Sequence, residues 1–176
     1  MILRPLELEG AFLVEIEPAQ DERGFYARSF DAREFAERGL VTAFVEAGTS
    51  LNSRRGTVRG MHMQLEPHPQ AKLVRCTRGA IHDVIVDLRD GSPTHGRWVA
   101  TRLSSAEGNQ LYVPAGFAHG FQTLEDGVEV SYQLSDHYDP GAEFGVRCND
   151  PRFGIDWPIE GVVISDRDRS FPDFEA

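Results

Sequence analysis

The chain has 176 residues and a formal net charge of −10, from 18 Lys plus Arg against 28 Asp plus Glu. That surplus of acid excludes general nucleic-acid binding, which runs on excess Lys and Arg, although basic residues that converge locally can still hold a phosphate inside an acidic protein. Hydrophobic content of 40% and charged content of 26% suit a soluble globular protein, and the length suits one domain over residues 1–176. No apolar run approaches the roughly 18 residues of a membrane helix, so no membrane partner is expected. Residues 1–18 lack a basic n-region followed by a long apolar h-region. Only two cysteines, Cys76 and Cys148, stand too far apart for a disulfide framework. Together these features point to the cytoplasm.

Taken in order, Phe12 to Ile16 reads as a strand, Pro18 to Gly24 as a polar turn, and Phe25 to Phe30 as a loosely alternating strand. Asp31 is placed to cap a short helix, with Glu34 at the capping-box spacing and Gly39 as its stop. From Thr42 to Leu134 short apolar and aromatic runs recur about every ten residues between Gly, Pro, Asn and Asp, the pattern of a β-sandwich or barrel. Strands are expected at Ile81–Leu88, Arg97–Leu103, Gln110–Val113, Ala118–Leu124 and Val128–Leu134. No long helical period and no GxGxxG intervenes, which disfavours a dinucleotide-binding fold. Residues 135–176 read as irregular. Asn149 to Gly154 and Ser165 to Arg169 look like loops packing back on the barrel, and Val162-Val163-Ile164 like one more strand.

Chemistry concentrates between Gly56 and Cys76, where Arg59, His62, Lys72 and Arg75 ride on two strand-like runs joined by the Pro-rich connector Glu66 to Gln70. A base that titrates near neutrality, an ammonium and two guanidiniums suit proton abstraction from an anionic substrate. Strict alternation puts Val58, Gly60, His62 and Gln64 on one face and Arg59 on the other. Arg59 and His62 then share a site only if a bulge or strong twist at Gly60 redirects the chain. Lys72 shares a face with Val74 and Cys76, an unusual place for an ammonium unless it snorkels out. Tyr132 lies on the apolar face of its strand with Val128, Val130 and Leu134, so its hydroxyl needs a partner. It reads either as a core Tyr or as a general acid. His119 alternates with Phe121 and faces inward. A metal site is not expected, because Met63-Gln64 follows His62 and the two-His spacing of common metal sites is missing. A carboxylate is needed to set the tautomer of a His base, and Asp83, Asp166 and Asp168 all qualify by composition. No nucleophile elbow is present.

The segments Val58 to Gln64, Ala71 to Arg75, Gly79 to Asp87, Gly116 to Phe121, Asn149 to Pro151, Gly154 to Pro158 and Ser165 to Asp168, preceded by Asp21 to Phe25, together resemble the dTDP-4-dehydrorhamnose 3,5-epimerase family. The resemblance implies an all-β cupin jelly roll with a few short helices, and a homodimer exchanging N-terminal strands. It also implies an active site without metal or cofactor, acting on a nucleoside-diphosphate 4-keto-6-deoxy sugar. It further implies that His62 is the base, Asp168 its orienting carboxylate, Tyr132 the acid on the opposite ring face and Lys72 the stabiliser of the enolate oxygen. Arg23, Arg28, Arg59 and His119 would lie in the substrate site, and Tyr138 would approach the nucleobase. Against the family pattern, Met63 and His137 replace aromatics, Arg28 replaces an acid, and Ala47-Gly48-Thr49 replaces a Gln-Asp-Asn stretch. These departures surround the nucleotide and sugar, so the base, the sugar and the choice of C3, C5 or both stay open. A nucleotide-sugar ketoisomerase and a non-catalytic sugar-nucleotide-binding cupin are the alternatives.

Overall fold

Runs in which every second residue is apolar fold as strands with one face buried, and a core needs two such faces. The computed structural model, which describes residues 1–160 and 163–174, realises this as thirteen strands and two short helices. They are β1 (Ile2–Pro5), β2 (Phe12–Glu15), β3 (Ala19–Asp21), β4 (Gly24–Tyr26), α1 (Ala32–Ala36), β5 (Glu46–Asn52), β6 (Val58–Gln64), β7 (Lys72–Arg78), β8 (Ala80–Asp87), β9 (Trp98–Ser104), β10 (Gln110–Val113), β11 (Phe117–Thr123), β12 (Val128–Leu134), β13 (Glu143–Gly145) and α2 (Asp166–Arg169). One antiparallel sheet has the order β1-β2-β10-β7-β12-β5 and faces a second of order β13-β6-β11-β8-β9. This is the two-sheet β-sandwich expected from the strand spacing, and the all-β jelly roll that the resemblance implied. Among the described residues no helix is long and apolar enough to cross a membrane.

Three apolar clusters hold the layers. Val74, Cys76, Ile81, Ile85, Phe117, Phe121, Val128 and Val130 fill the space between the sheets. The outer face of the second sheet is also buried, with Val84 and Val86 packed against Val146, Phe153 and Ile155. Burial on both faces explains why β8 reads as a nearly continuous apolar run. On the outer face of the first sheet, Phe30, Phe35, Leu40 and Phe44 pack against Leu73 and Tyr112.

Several local expectations are revised. Residues 18–30 form a tight β3–β4 hairpin in place of a turn followed by a longer strand, and it projects with Phe25 62% and Tyr26 75% exposed. Helix α1 starts where Asp31 caps it, accepting from the Arg33 N–H, but Glu34 lies 4.0 Å from Arg28 instead of completing a capping box. Ser165 to Arg169 is a helical turn instead of a loop, with the Ser165 hydroxyl accepting from Asp168 N–H. Of the proposed strand at residues 162–164, Val162 lies outside the described residues, and Val163 pairs with Thr57 in a single parallel bridge.

The irregularity that matters most lies in β6. His62 pairs with His119 and Arg59 pairs with Phe121, leaving Gly60 and Met61 opposite the single residue Gly120. The extra residue is a β-bulge, which turns Arg59 and His62 to the same face although three positions separate them. Glycine is required on both sides. Gly60 has φ +117°, and a Cβ there would lie 2.6 Å from Gly120 Cα, while a Cβ on Gly120 would lie 2.7 Å from the Arg59 carbonyl oxygen.

Candidate active site

Strands β6 and β7 belong to opposite sheets, so the connector between them carries the chain across the sandwich and sets His62 against Lys72. Together with Tyr132 from β12 they line a cavity of about 200 Å³, which Gly48, Met63 and Tyr138 also border. Lys72, Val74 and Cys76 do share the inner face of β7, and Tyr132 does point inward from β12.

His62 Nε2 lies 2.8 Å from Asp168 Oδ1. Of the three acids that composition allowed, the fold selects Asp168 for this imidazole, carried back from the C-terminal turn. Asp168 Oδ2 accepts a second hydrogen bond from the Gly60 N–H at 3.1 Å, which ties it to the bulge. Burial pushes the Asp168 carboxyl up, but the bonds from His62, Gly60 and Ser165 outweigh it and hold the group below its ordinary range. An ionised Asp168 accepts a hydrogen bond from the Nε2–H of His62, which leaves Nδ1 with its lone pair. The Phe171 ring packs edge-on against the imidazole at 5.7 Å, in space that Gly145 leaves by having no side chain.

The Lys72 ammonium is buried and donates to the His62 carbonyl oxygen at 3.0 Å. Burial lowers its titration to about 8, with the negative charge of Asp83 partly offsetting the loss of water. Tyr132 is pushed the other way. Burial raises its phenol well above the usual range, more than the Ser50 hydroxyl bond lowers it, so it stays protonated and able to donate. The site thus combines an imidazole, a protonated phenol and an ammonium around one cavity, a set able to take a proton from carbon and hold the resulting oxyanion.

The remaining candidates divide. Tyr138 borders the cavity and its hydroxyl donates to Glu143 at 3.1 Å. Arg59 does not line it, but its Nε donates to Asn52 Oδ1 at 2.6 Å close to Tyr132. His119 is also off the lining. It sits beside Tyr132 with ring centroids 6.4 Å apart and bonds both oxygens of buried Asp83 at 3.0 Å. Arg23 and Arg28 are placed elsewhere in the single chain. Arg23 pairs with Asp21 on the projecting hairpin, and Arg28 pairs with Asp31 at the start of α1. Among the described residues no three His, Cys, Asp or Glu side chains converge as metal ligands. Sequence reasoning missed Ser50 and Asn52. Their alternation on β5 was a signal that they share a face, but only the pairing of β5 with β12 aims that face at Tyr132.

With this geometry in place, the comparisons with known proteins are specific. The sequence profile described as dTDP-4-dehydrorhamnose 3,5-epimerase matches residues 5–176. A dTDP-4-dehydrorhamnose 3,5-epimerase of Sinorhizobium fredii is 43% identical over 98% of this chain and 89% of its own length. A dTDP-4-dehydrorhamnose 3-epimerase of Streptomyces niveus is 42% identical over 96% of this chain and 82% of its own. The crystal structure of dTDP-4-dehydrorhamnose 3,5-epimerase from Elizabethkingia anophelis superimposes with a TM-score of 0.96 at 37% identity, covering 99% of this chain and 96% of that one.

Proposed function

From the premise that the chain belongs to the dTDP-4-dehydrorhamnose 3,5-epimerase family, and is therefore an isomerase acting on a nucleotide-linked sugar, we propose the following division of labour. His62 Nδ1 removes the proton α to the C4 ketone of a dTDP-4-dehydro-6-deoxy sugar, and the C–H electrons move to the carbonyl oxygen as an enolate. Lys72 stabilises that oxyanion. Tyr132 returns a proton to the same carbon from the opposite ring face as the enolate collapses to the ketone, which inverts the centre. Tyr132 then regains a proton from solvent and His62 releases its proton to solvent. Asp168 holds the His62 tautomer, and Tyr138 at the cavity edge approaches the nucleobase. The observation that carries this is the His62–Asp168 pair and the Tyr132 hydroxyl bordering one cavity, with the Lys72 ammonium buried between the sheets that bear them.

The same reading covers the arginines. Arg23 and Arg28, remote from the cavity of their own chain, are supplied to the site of a second copy when the projecting N-terminal hairpins are exchanged in a homodimer. Residues 1–176 then act as one domain per subunit. The two buried free thiols, Cys76 and Cys148, suit the cytoplasm.

The test is incubation with dTDP-4-dehydro-6-deoxyglucose in deuterated water, following C3 and C5 by NMR. Deuterium with inversion at both carbons is expected of a 3,5-epimerase. Label at C3 alone would align the chain with the relative named as a 3-epimerase. No label at either would overturn the dTDP-sugar assignment.

A further inference from the structure

Among the described residues the Tyr132 hydroxyl has one hydrogen-bond partner, Ser50 Oγ at 3.1 Å. Behind it stands Asn52, 2% exposed, whose Nδ2 lies 3.4 Å from Ser50 Oγ and 3.2 Å from the Val128 carbonyl oxygen. Its Oδ1 receives Arg59 Nε at 2.6 Å. The direction of every link except the one between the two hydroxyls is fixed by chemistry. A guanidinium only donates, so the amide oxygen of Asn52 faces Arg59. The Val128 carbonyl only accepts, so the amide nitrogen faces Val128 and Ser50. Ser50 Oγ therefore accepts from Asn52, and its own proton is free to be given to Tyr132 Oη. In the arrangement where Ser50 donates, the phenolic proton is left free of Ser50, and once Tyr132 is a phenolate that arrangement is the one that remains.

We propose, building on the assignment of Tyr132 as the acid, that Ser50 and Asn52 are positioning residues that orient Tyr132 for proton donation and connect its oxygen to Arg59. When Tyr132 gives its proton to the substrate carbon, the O–H bond breaks, the new C–H bond forms, and a phenolate remains. That phenolate accepts from Ser50, which accepts from Asn52, which accepts from Arg59. Each dipole in the row presents its positive end to the new charge, and the arginine closes the row with a full cation. The β6 bulge is what makes the row possible, because without it Arg59 would face the other side of the sheet. Among the described residues no other polar side chain bonds the Tyr132 hydroxyl.

The experiment separates two events on the same substrate in deuterated water. Deuterium entry with retained configuration needs only the His62 face, whereas inversion needs delivery by Tyr132. The ratio of inversion to exchange therefore reads the acid alone, and a general loss of fold or binding does not move it. Ser50→Ala and Asn52→Asp are expected to lower that ratio roughly tenfold, the scale of a lost hydrogen bond to a charged group. Asn52→Asp keeps the size of the side chain and its pairing with Arg59 but loses the donor to Ser50. Ser50→Thr, which keeps the hydroxyl, is expected to restore the ratio. Tyr132→Phe serves as the reference. If it leaves the ratio unchanged, the acid assignment falls and the relay falls with it. If it lowers the ratio while Ser50→Ala and Asn52→Asp do not, or if inversion and exchange fall in step in those two variants, the relay is overturned and the acid assignment stands.

Discussion

Two His–Asp pairs lie side by side on neighbouring strands, since His62 and His119 are register partners across β6 and β11. Both use Nε2 toward a carboxylate, at 2.8 Å in one pair and 3.0 Å in the other. They differ in access. The His62 side chain is 31% exposed, whereas His119 is 5% and Asp83 0% exposed. They differ also in where the acid originates. Asp83 is built into β8, next to the strand of its histidine, while Asp168 arrives from a single helical turn near the end of the chain. On the proposed assignment, an identical pairing gives a base where the ring is accessible, and an internal support beside Tyr132 where it is not. The sharpest way to break the comparison is to replace each histidine. His62→Ala should cost a factor of about 10²–10⁴ in solvent exchange at the substrate carbons, the usual worth of a positioned base, with binding of the nucleotide sugar retained. His119→Gln should leave exchange above the His62→Ala level and act mainly on stability. Equal loss from both would erase the distinction between them.

The carboxylates sharpen the same contrast with a smaller effect. In Asp168→Asn an amide can donate to Nε2, which would place the imidazole proton on Nδ1 and remove the lone pair from the substrate side. A loss of about 10² in kcat is expected, with a modest cost in stability of roughly 1–3 kcal/mol from the lost charged hydrogen bond. Asp83→Asn should reverse the balance, costing more in thermal unfolding than Asp168→Asn and less in rate. Measuring kcat and Tm on both variants tests the assignment, and matching profiles would contradict it.

How far these roles could be read from residues alone follows from the range of the interactions. Alternation is local, so the inner faces of β7 and β12, and with them Lys72 and Tyr132, were legible from spacing. The strand periodicity likewise announced two facing sheets. A bulge is not local. It is defined by two residues opposing one on a partner strand about 60 positions away. The residues alone could therefore name a bulge at Gly60 only as the condition for Arg59 and His62 to share a site, and the pairing with β11 supplies it. Composition left Asp83, Asp166 and Asp168 open for the same reason, because 106 residues separate His62 from its carboxylate, and only the resemblance pointed to Asp168. Ser50 and Asn52 were passed over because neither is chemically distinctive. Their meaning comes from Tyr132 and Arg59, which lie on other strands. The hairpin that carries Arg23 was misread because its residues alternate weakly and bury nothing within the single chain.

Lys72 feels both pairs at once, through its bond to the His62 carbonyl oxygen and through the charge of Asp83, and it yields the mildest test. Its ammonium titrates at about 8 in the folded protein against 10.5 ordinarily. Between those values the unfolded chain binds the extra proton and the folded chain does not, so stability from this group must rise as pH climbs through the window. With Lys72 in its proposed role, activity moves oppositely, since the neutral amine cannot hold an enolate. The expected result is a fall in kcat above pH 8 approaching tenfold per pH unit, while Tm gains a rising contribution that Lys72→Met lacks. Lys72→Arg, which keeps its charge throughout, should flatten the alkaline fall in rate whatever its absolute activity. Removing the charge of Asp83 should slide that fall to lower pH, because the carboxylate is what lifts the lysine back toward its normal value. An alkaline limb that ignores both substitutions would detach Lys72 from the oxyanion and leave it a structural cation between two histidine pairs.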